Sequence, residues 1–420
     1  MTILKWIGVV GAAVVAIVLL VLAYLVWSTD QRLEAQLAAL RAAGEPLTWN
    51  DLQPKPIPPE KNAAVFLARA ASDLDGIWKE LAPIIEKPGP SGRALTPLES
   101  DAKVSFEAYP KLMPLLKQAA ACGEYDPQID YAAIMSDVNM ERVQKHRAVA
   151  RVLNYRVSYL LSKNEHDEAL RHSILLLRLT RHFEREPMLM SYLMTLACKG
   201  MGLEAAHNVL QAGPVSKELR KELDAELAHF ESLESARWVV RTERIYGMEQ
   251  YAAIPARNWW PIRAQWNYDE SKYLELMEES LKSVSLPYAE VLKNAQRLEA
   301  GLQSRYCALA RLVFPAIRAA YNATLRVKVQ ARCVRVINAL QARVPPASDA
   351  VPKLSELGLP VEATTDPFND KPLVVKKLPD GWLVYSVGED LEDNGGGIPD
   401  AKPKDYGFGP PAAKPKQPAK

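Results

Sequence analysis

Residues 146–183 read HRAVARVLNYRVSYLLSKNEHDEALRHSILLLRLTRHF. Val149, Val152, Leu153, Val157, Leu160 and Leu161 recur at steps of three and four, so they line one face of a helix. Lys163-Asn164-Glu165-His166-Asp167 interrupts the pattern with turn-forming polar residues, and a second periodic run, EALRHSILLLRLTRHF, follows over 168–183. Two helices joined by so short a turn pack antiparallel. The same period extends outward from Asn62 to about Arg343, where Leu325, Val329, Cys333, Val336, Ile337 and Leu340 form another stripe. Prolines at 83, 88, 90, 97, 110, 187, 214, 255, 261, 287 and 315 are expected to break or kink the helices. Residues 62–345 therefore read as one layered body of about nine helices, long enough to bury its own core.

The hairpin over 146–183 resembles a tetratricopeptide helix pair, with the small Ala169 where the second helix crosses the first. A tetratricopeptide array repeats about every 34 residues. Leu189 to Leu210 reads as a further helix without that signature, so the resemblance covers one hairpin and predicts a tetratricopeptide-like layering.

Ahead of the body lies WIGVVGAAVVAIVLLVLAYLVW, Trp6 to Trp27, with no charged residue. About 20 apolar residues span a bilayer core as a helix, and Trp6, Tyr24 and Trp27 suit its two interfaces. The run is longer than a secretory signal's apolar region and ends Tyr-Leu-Val-Trp-Ser-Thr-Asp without a small-x-small cleavage site, which predicts an uncleaved single-pass anchor. With only residues 1–5 ahead of it, the short tail is expected to stay in the cytoplasm and the body to lie outside. Residues 28–61 read as an amphipathic continuation stopped by Gly44, then a Pro-rich spacer, PKPIPPEKN from Pro54.

Beyond Pro345-Pro346 the texture changes. Over 346–401, Leu373–Leu378 and Trp382–Val387 are β-type runs separated by Pro379-Asp380-Gly381, a hairpin signal. Asp390-Leu391-Glu392-Asp393-Asn394-Gly395-Gly396-Gly397 follows. Its oxygen donors at alternate positions ahead of glycine match the first half of a calcium loop. Asp390, Asp393 and Asp400 are the candidate metal ligands and calcium the candidate ion. Residues 402–420, rich in Lys and Pro, read as a disordered tail.

Asp366-Pro367-Phe368, Lys371-Pro372-Leu373, Gly381-Trp382 and Tyr385-Ser386-Val387-Gly388-Glu389-Asp390 together resemble the C-terminal module of type II secretion major pseudopilins. In that family strands lead to a Gly-rich calcium loop, and Asp390 with Asp393 or Asp400 would supply its carboxylates here. Met1-Thr2-Ile3-Leu4-Lys5-Trp6 lacks the pseudopilin processing site, so a fibre subunit is not implied. The whole layout is similar to uncharacterised bacterial single-pass proteins of the cell envelope.

Other candidates for chemistry are sparse. The six histidines, His146, His166, His172, His182, His207 and His229, form no H-E-x-x-H and read as surface or helix-boundary residues. There is no Cys-x-x-Cys, P-loop or G-x-S-x-G elbow, and Ser91 sits in an ordinary Gly/Pro loop. Cys122, Cys198, Cys307 and Cys333 read as small buried hydrophobes; a Cys307–Cys333 pair would need the chain to fold back at Pro315. Trp259, Trp260, Arg263 and Trp266, in a Pro-bounded loop or short turn, are a candidate interaction patch if exposed and loop packing if buried. Arg318, Arg326, Lys328, Arg332, Arg335 and Arg343 read as a solvated basic face.

Composition agrees with this division. With 52 basic and 50 acidic residues the net charge is +2, which provides no whole-chain attraction to nucleic acid. The primary expectation is a non-enzymatic, membrane-tethered protein that meets another envelope protein. The alternatives are a calcium-stabilised envelope module and a hydrolase whose residues converge from several helices.

Overall fold

The computed structural model describes residues 2–53, 55–85, 106–129, 137–304, 306–344, 350–396 and 404–410. The fold is mainly α, with a three-stranded antiparallel sheet near the C-terminus and a long apolar helix at the N-terminus. By backbone contacts it divides into two units, each discontinuous in sequence: 1–53 with 237–286 and 290–319, and 54–236 with 287–289 and 320–420.

The first unit is built on α1 (Thr2–Ala42), which runs unbroken from the apolar stretch into the amphipathic one. Its side chains from Trp6 to Leu25 are largely exposed, and it is long and apolar enough to cross a membrane. Gly44 ends it: at φ +69°, its N–H reaches Arg41 O and that of Glu45 reaches Leu40 O. This is a Schellman closure, which needs a left-handed residue at that point. Beyond Asp30 the helix packs on α9 (Trp260–Ser283). Asp30 accepts from Arg263 (3.0 Å) and Asn267, Arg32 pairs with Glu275, and Leu33 is buried.

Between Gly44 and the Pro-rich spacer the chain is docked. Glu45 binds Arg241 and the fully buried Arg244 of α8 (Glu234–Ala252) at 2.8–3.0 Å, and Trp49 donates to Glu249 at 2.7 Å. The Arg241 guanidinium, aided by Arg244, holds the Glu45 carboxyl at about 2 against the opposing effect of burial. An ion pair to the buried Arg244 and a buried indole hold this segment in place.

The second unit holds the hairpin. Helices α4 (Asp137–Ser162) and α5 (His166–Phe183) pack on each other and on α6 (Leu189–Ala212). Asn164, at φ +59°, supplies a second Schellman closure, its N–H on Leu161 O and that of Glu165 on Leu160 O. Ala169 is fully buried. At the α5–α6 contact a side chain on Gly202 would come within 2.7 Å of Leu177, so the glycine sets the helix separation. Leu153, Leu176, Leu179 and Phe183 form the core with Leu74, Ile77 and Leu81 of α2 (Ala63–Ile85) and with Leu112 and Leu116 of α3 (Leu112–Ala121).

Pro83 and Pro315 lie inside α2 and α11 (Ala308–Arg343) without ending them. The chain therefore does not fold back at Pro315 as a Cys307–Cys333 pair would require. The basic residues of α11 are only in part a solvated face: Arg318, Arg326 and Arg343 are exposed, but two others are not. Arg332 is buried, clamps Glu231 through two bonds (2.8 and 2.6 Å) and donates to Thr365 O; Arg335, also buried, binds Asp224 of α7 (Lys217–Ala228) at 2.9 Å. Arg326 binds Glu389 (2.9 Å from Nε). Asp224 on α7 and Glu231 in the turn after it convert Arg332 and Arg335 from what looks like a surface stripe into internal staples.

In the C-terminal sheet, β1 (Val374–Leu378) pairs with β2 (Gly381–Ser386) across the two-residue turn Pro379-Asp380, with Leu378 opposite Gly381. A third strand, β3 (Tyr406–Phe408), pairs with β2 in a stretch expected to be disordered. Phe408 stacks on His207 (ring centroids 4.7 Å apart), and Asp405, fully buried, accepts from the Asn394 and Gly396 N–H groups. Ring burial and a capped loop outweigh the low-complexity flanks. Residues 411–420 lie outside the described residues.

Candidate functional site

A cluster of buried polar groups lies in the second unit, beside a cleft between α2 and α4 of about 340 Å³. It is assembled from the chain entering α2 upward. Asn62 caps that helix, its Oδ1 accepting from Ala64 N–H, and the same side chain clamps the 124–126 loop by accepting from Asp126 N–H (3.0 Å) and donating to Asp126 O (2.8 Å). The clamp aims Tyr125 into the body. Its hydroxyl donates to Glu186 Oε1 (2.6 Å) and lies 3.2 Å from His146 Nε2. Because that hydroxyl donates to Glu186, it accepts from His146, which places the imidazole proton on Nε2.

Glu186, just past α5, is the anion at the centre and is 2% exposed. Arg142 of α4 grips both of its oxygens at 2.8 Å. Burial opposes ionisation of Glu186, but the Arg142 bonds prevail and its pKa is lowered. Burial and the Glu186 charge push Tyr125 well up. His146 is stacked face to face on Phe183 (3.9 Å), and burial drives its pKa down to about 4. The Tyr125 ring also stacks at 5.9 Å on His182, whose Nε2–H donates to Ala119 O (3.0 Å) and whose pKa burial again lowers to about 4.

The histidines thus correct the expectation of surface positions. His146, His172, His182 and His207 are all buried in the helical core. Each has an apolar body that packs and a polar tip that the core must satisfy, a property that spacing along a helix does not reveal.

The chemistry of this cluster favours holding over reacting. Its carboxylate is consumed by three donors and its histidine is neutral at ordinary pH. The nearby thiol of Cys198 is raised to about 12 by burial, which leaves it un-nucleophilic. The cleft in front has an apolar wall, Ala64, Leu67, Ala68 and Ala71, and a charged rim, Glu141, Arg142 and Lys145.

The acidic loop is placed differently. Asp390 accepts from Glu392 N–H (3.1 Å) and Asn394 Nδ2 and pairs with Lys404 (3.3 Å); Asp393 accepts from Tyr385 OH (2.8 Å) and Gly395 N–H (2.9 Å). The two carboxylates face different donor sets. Asp400 lies outside the described residues. Among the described residues no group of three or more His, Cys, Asp or Glu is arranged to hold a metal ion. The Asp-Pro-Phe start and the Tyr-Ser-Val run have an evident structural role: Asp366 accepts from Phe368 N–H (2.9 Å), Ser386 Oγ (2.8 Å) and Val387 N–H (3.0 Å). This clasp ties the two motifs together around a buried carboxylate.

The Trp/Arg patch is the beginning of a helix rather than a loop. Trp259 caps α9 and Pro261 stands in its first turn, where no N–H is needed. Trp259 and Trp260 are 63% and 39% exposed, Trp266 is half-buried, and Arg263 turns away to Asp30.

No protein-family model, curated protein or solved structure matches this chain.

Proposed function

We propose that the protein is a membrane-anchored, non-enzymatic interaction protein of the cell envelope, with its N-terminus in the cytoplasm and its body outside. The observation that carries the reading is α1: exposed and apolar over Trp6–Leu25, then continuous with a helix tied to α9 by Asp30 and Arg32. An exposed apolar surface of that length is costly in water and stable in hydrocarbon. The α2–α4 cleft supports the partner-binding part, since its polar floor is neutralised internally and its wall is apolar.

Two measurements test it. Cys122 is the partly exposed thiol among the four cysteines. A membrane-impermeant maleimide should label it in intact cells; labelling only after permeabilisation places the body inside. A photo-crosslinking residue at Ala71 should give a discrete adduct in native membranes that Ala68→Trp, which fills the cleft, abolishes. An adduct unaffected by Ala68→Trp removes the cleft from the interaction.

A further inference from the structure

We infer that the tip between α8 and α9 rests in the interfacial layer of the same bilayer that α1 crosses, as a second, non-spanning membrane contact. The inference rests on the membrane reading of α1. Four contacts fix how α1 and α9 lie within the first unit. Asp30 meets Arg263 and Asn267, Arg32 meets Glu275, and Gln36 donates to Ser271 O. The helices therefore run in the same direction side by side. Stepping back three residues from each partner of the Asp30–Arg263 pair brings Trp27 level with Trp260, roughly 4.5 Å nearer the apolar stretch at 1.5 Å per residue. Trp259 and the connection from α8 continue past that level.

The composition of the tip suits that depth. Residues 252–262 read AAIPARNWWPI and carry one charge, Arg257, whose guanidinium pairs with the buried Glu270. Ala252, Ala253, Pro255, Ala256, Trp259 and Trp260 are exposed. The backbone is satisfied by successive turns: Ala253 N–H to Glu249 O, Ile254 N–H to Tyr251 O, Arg257 N–H to Ile254 O and Trp259 N–H to Ala256 O. Lipid tolerates irregular chain only where such groups are paired. Indoles favour the headgroup level, where an apolar ring meets water at one edge. Tyr24 and Trp27 of α1, 63% and 60% exposed, sit beside that level and complete an aromatic rim. Continuity with the membrane span selects lipid over a protein partner as the occupant.

The test uses the full chain reconstituted in phosphatidylcholine vesicles brominated either near the carbonyl end or near the methyl end of the acyl chains. Emission of the wild type minus that of Trp259→Phe/Trp260→Phe isolates the two tip indoles. That difference signal should fall by half or more with the shallow bromines, less with the deep ones, and resist aqueous iodide. Quenching by iodide with no effect of bromine places the tip in water and overturns the inference. Protection from both quenchers places it under protein and overturns it equally. The double variant retains seven tryptophans, Trp6 and Trp27 of the apolar stretch among them; if no part of its emission is quenched by brominated lipid, the anchor reading itself fails, an outcome distinct from failure of the tip alone. Unchanged circular dichroism of the variant confirms that the comparison is between folded proteins.

Discussion

Acidification to pH 5 should strip the helical core of stability well before its carboxylates titrate, and the buried histidines set the amount. His146, His182 and His207 have folded pKa values of about 4, depressed by burial from 6.5. Below 6.5 the unfolded chain binds protons that the folded state refuses, so stability is complete above that value and falls as pH drops toward 4. Between pH 7 and pH 5 each histidine contributes a loss of about 2 kcal/mol, or roughly 5–6 kcal/mol for the three together. His172, lowered for the same reason, adds to it in the same direction. The carboxylates that their partners hold down, Glu186 and Glu231, act only below the ordinary carboxylate range, whereas Glu270 and Asp366, raised by burial, take up protons on acidification and offset part of the loss. The assay is urea unfolding of the detergent-solubilised chain followed at 222 nm. His146→Phe, which keeps the stack on Phe183, should unfold less steeply with acid, recovering about a third of the loss. An unchanged midpoint between the two pH values, or an identical loss in His146→Phe, would refute the assignment of these rings as buried neutral groups.

Glu186→Ala should destabilise the protein by about 2–4 kcal/mol, because Arg142 and Tyr125 lose their acceptor inside the body; a change below about 0.5 kcal/mol in the urea midpoint would contradict this. Arg332→Ala should cost a similar amount, about 3 kcal/mol, by leaving Glu231 and Thr365 O unpaired, and amide exchange should rise around Thr365; unchanged exchange there would show that Arg332 does not tie the C-terminal module down. Asp366→Asn should cost about 1–3 kcal/mol, since an amide nitrogen replaces an acceptor facing Ser386 or Val387 N–H; a wild-type melting temperature would remove the clasp from the account. For the acidic loop, Asp390→Ala should lower the melting temperature even with no Ca²⁺ added, because Asn394 and Lys404 lose their acceptor. Millimolar Ca²⁺ should leave the wild type unchanged, and a Ca²⁺-dependent rise abolished by Asp390→Ala would instead establish the calcium module.

How much was legible varied with how local the cause is. The hairpin over 146–183 was readable because helix periodicity and a turn residue such as Asn164 act within a few residues of themselves. The same holds for Gly44, which closes α1, and for Pro379-Asp380-Gly381, which joins β1 to β2. The Tyr125–His146–Glu186–Arg142 cluster was not readable, because its members are up to 61 residues apart and meet only through the packing of α4 on α5 and the loop that Asn62 clamps. The strand at Tyr406–Phe408 was hidden by flanking lysines and prolines, because its stability comes from β2 and His207 and not from its own propensity.

Sequence alone determined that the protein is mainly helical, that one N-terminal stretch is long and apolar enough to span a bilayer, and that a β-hairpin lies near the C-terminus. These follow from hydrophobic period and turn chemistry, which are short-range properties. The tertiary structure decided which charges are surface and which are staples. Arg332, Arg335 and Arg244 look like their solvated neighbours in a linear string and differ only because Glu231, Asp224 and Glu45 arrive opposite them. It also decided that Trp259 and Trp260 stay exposed beside α1, which depends on lateral contacts between distant residues such as Asp30 and Arg263, 233 positions apart.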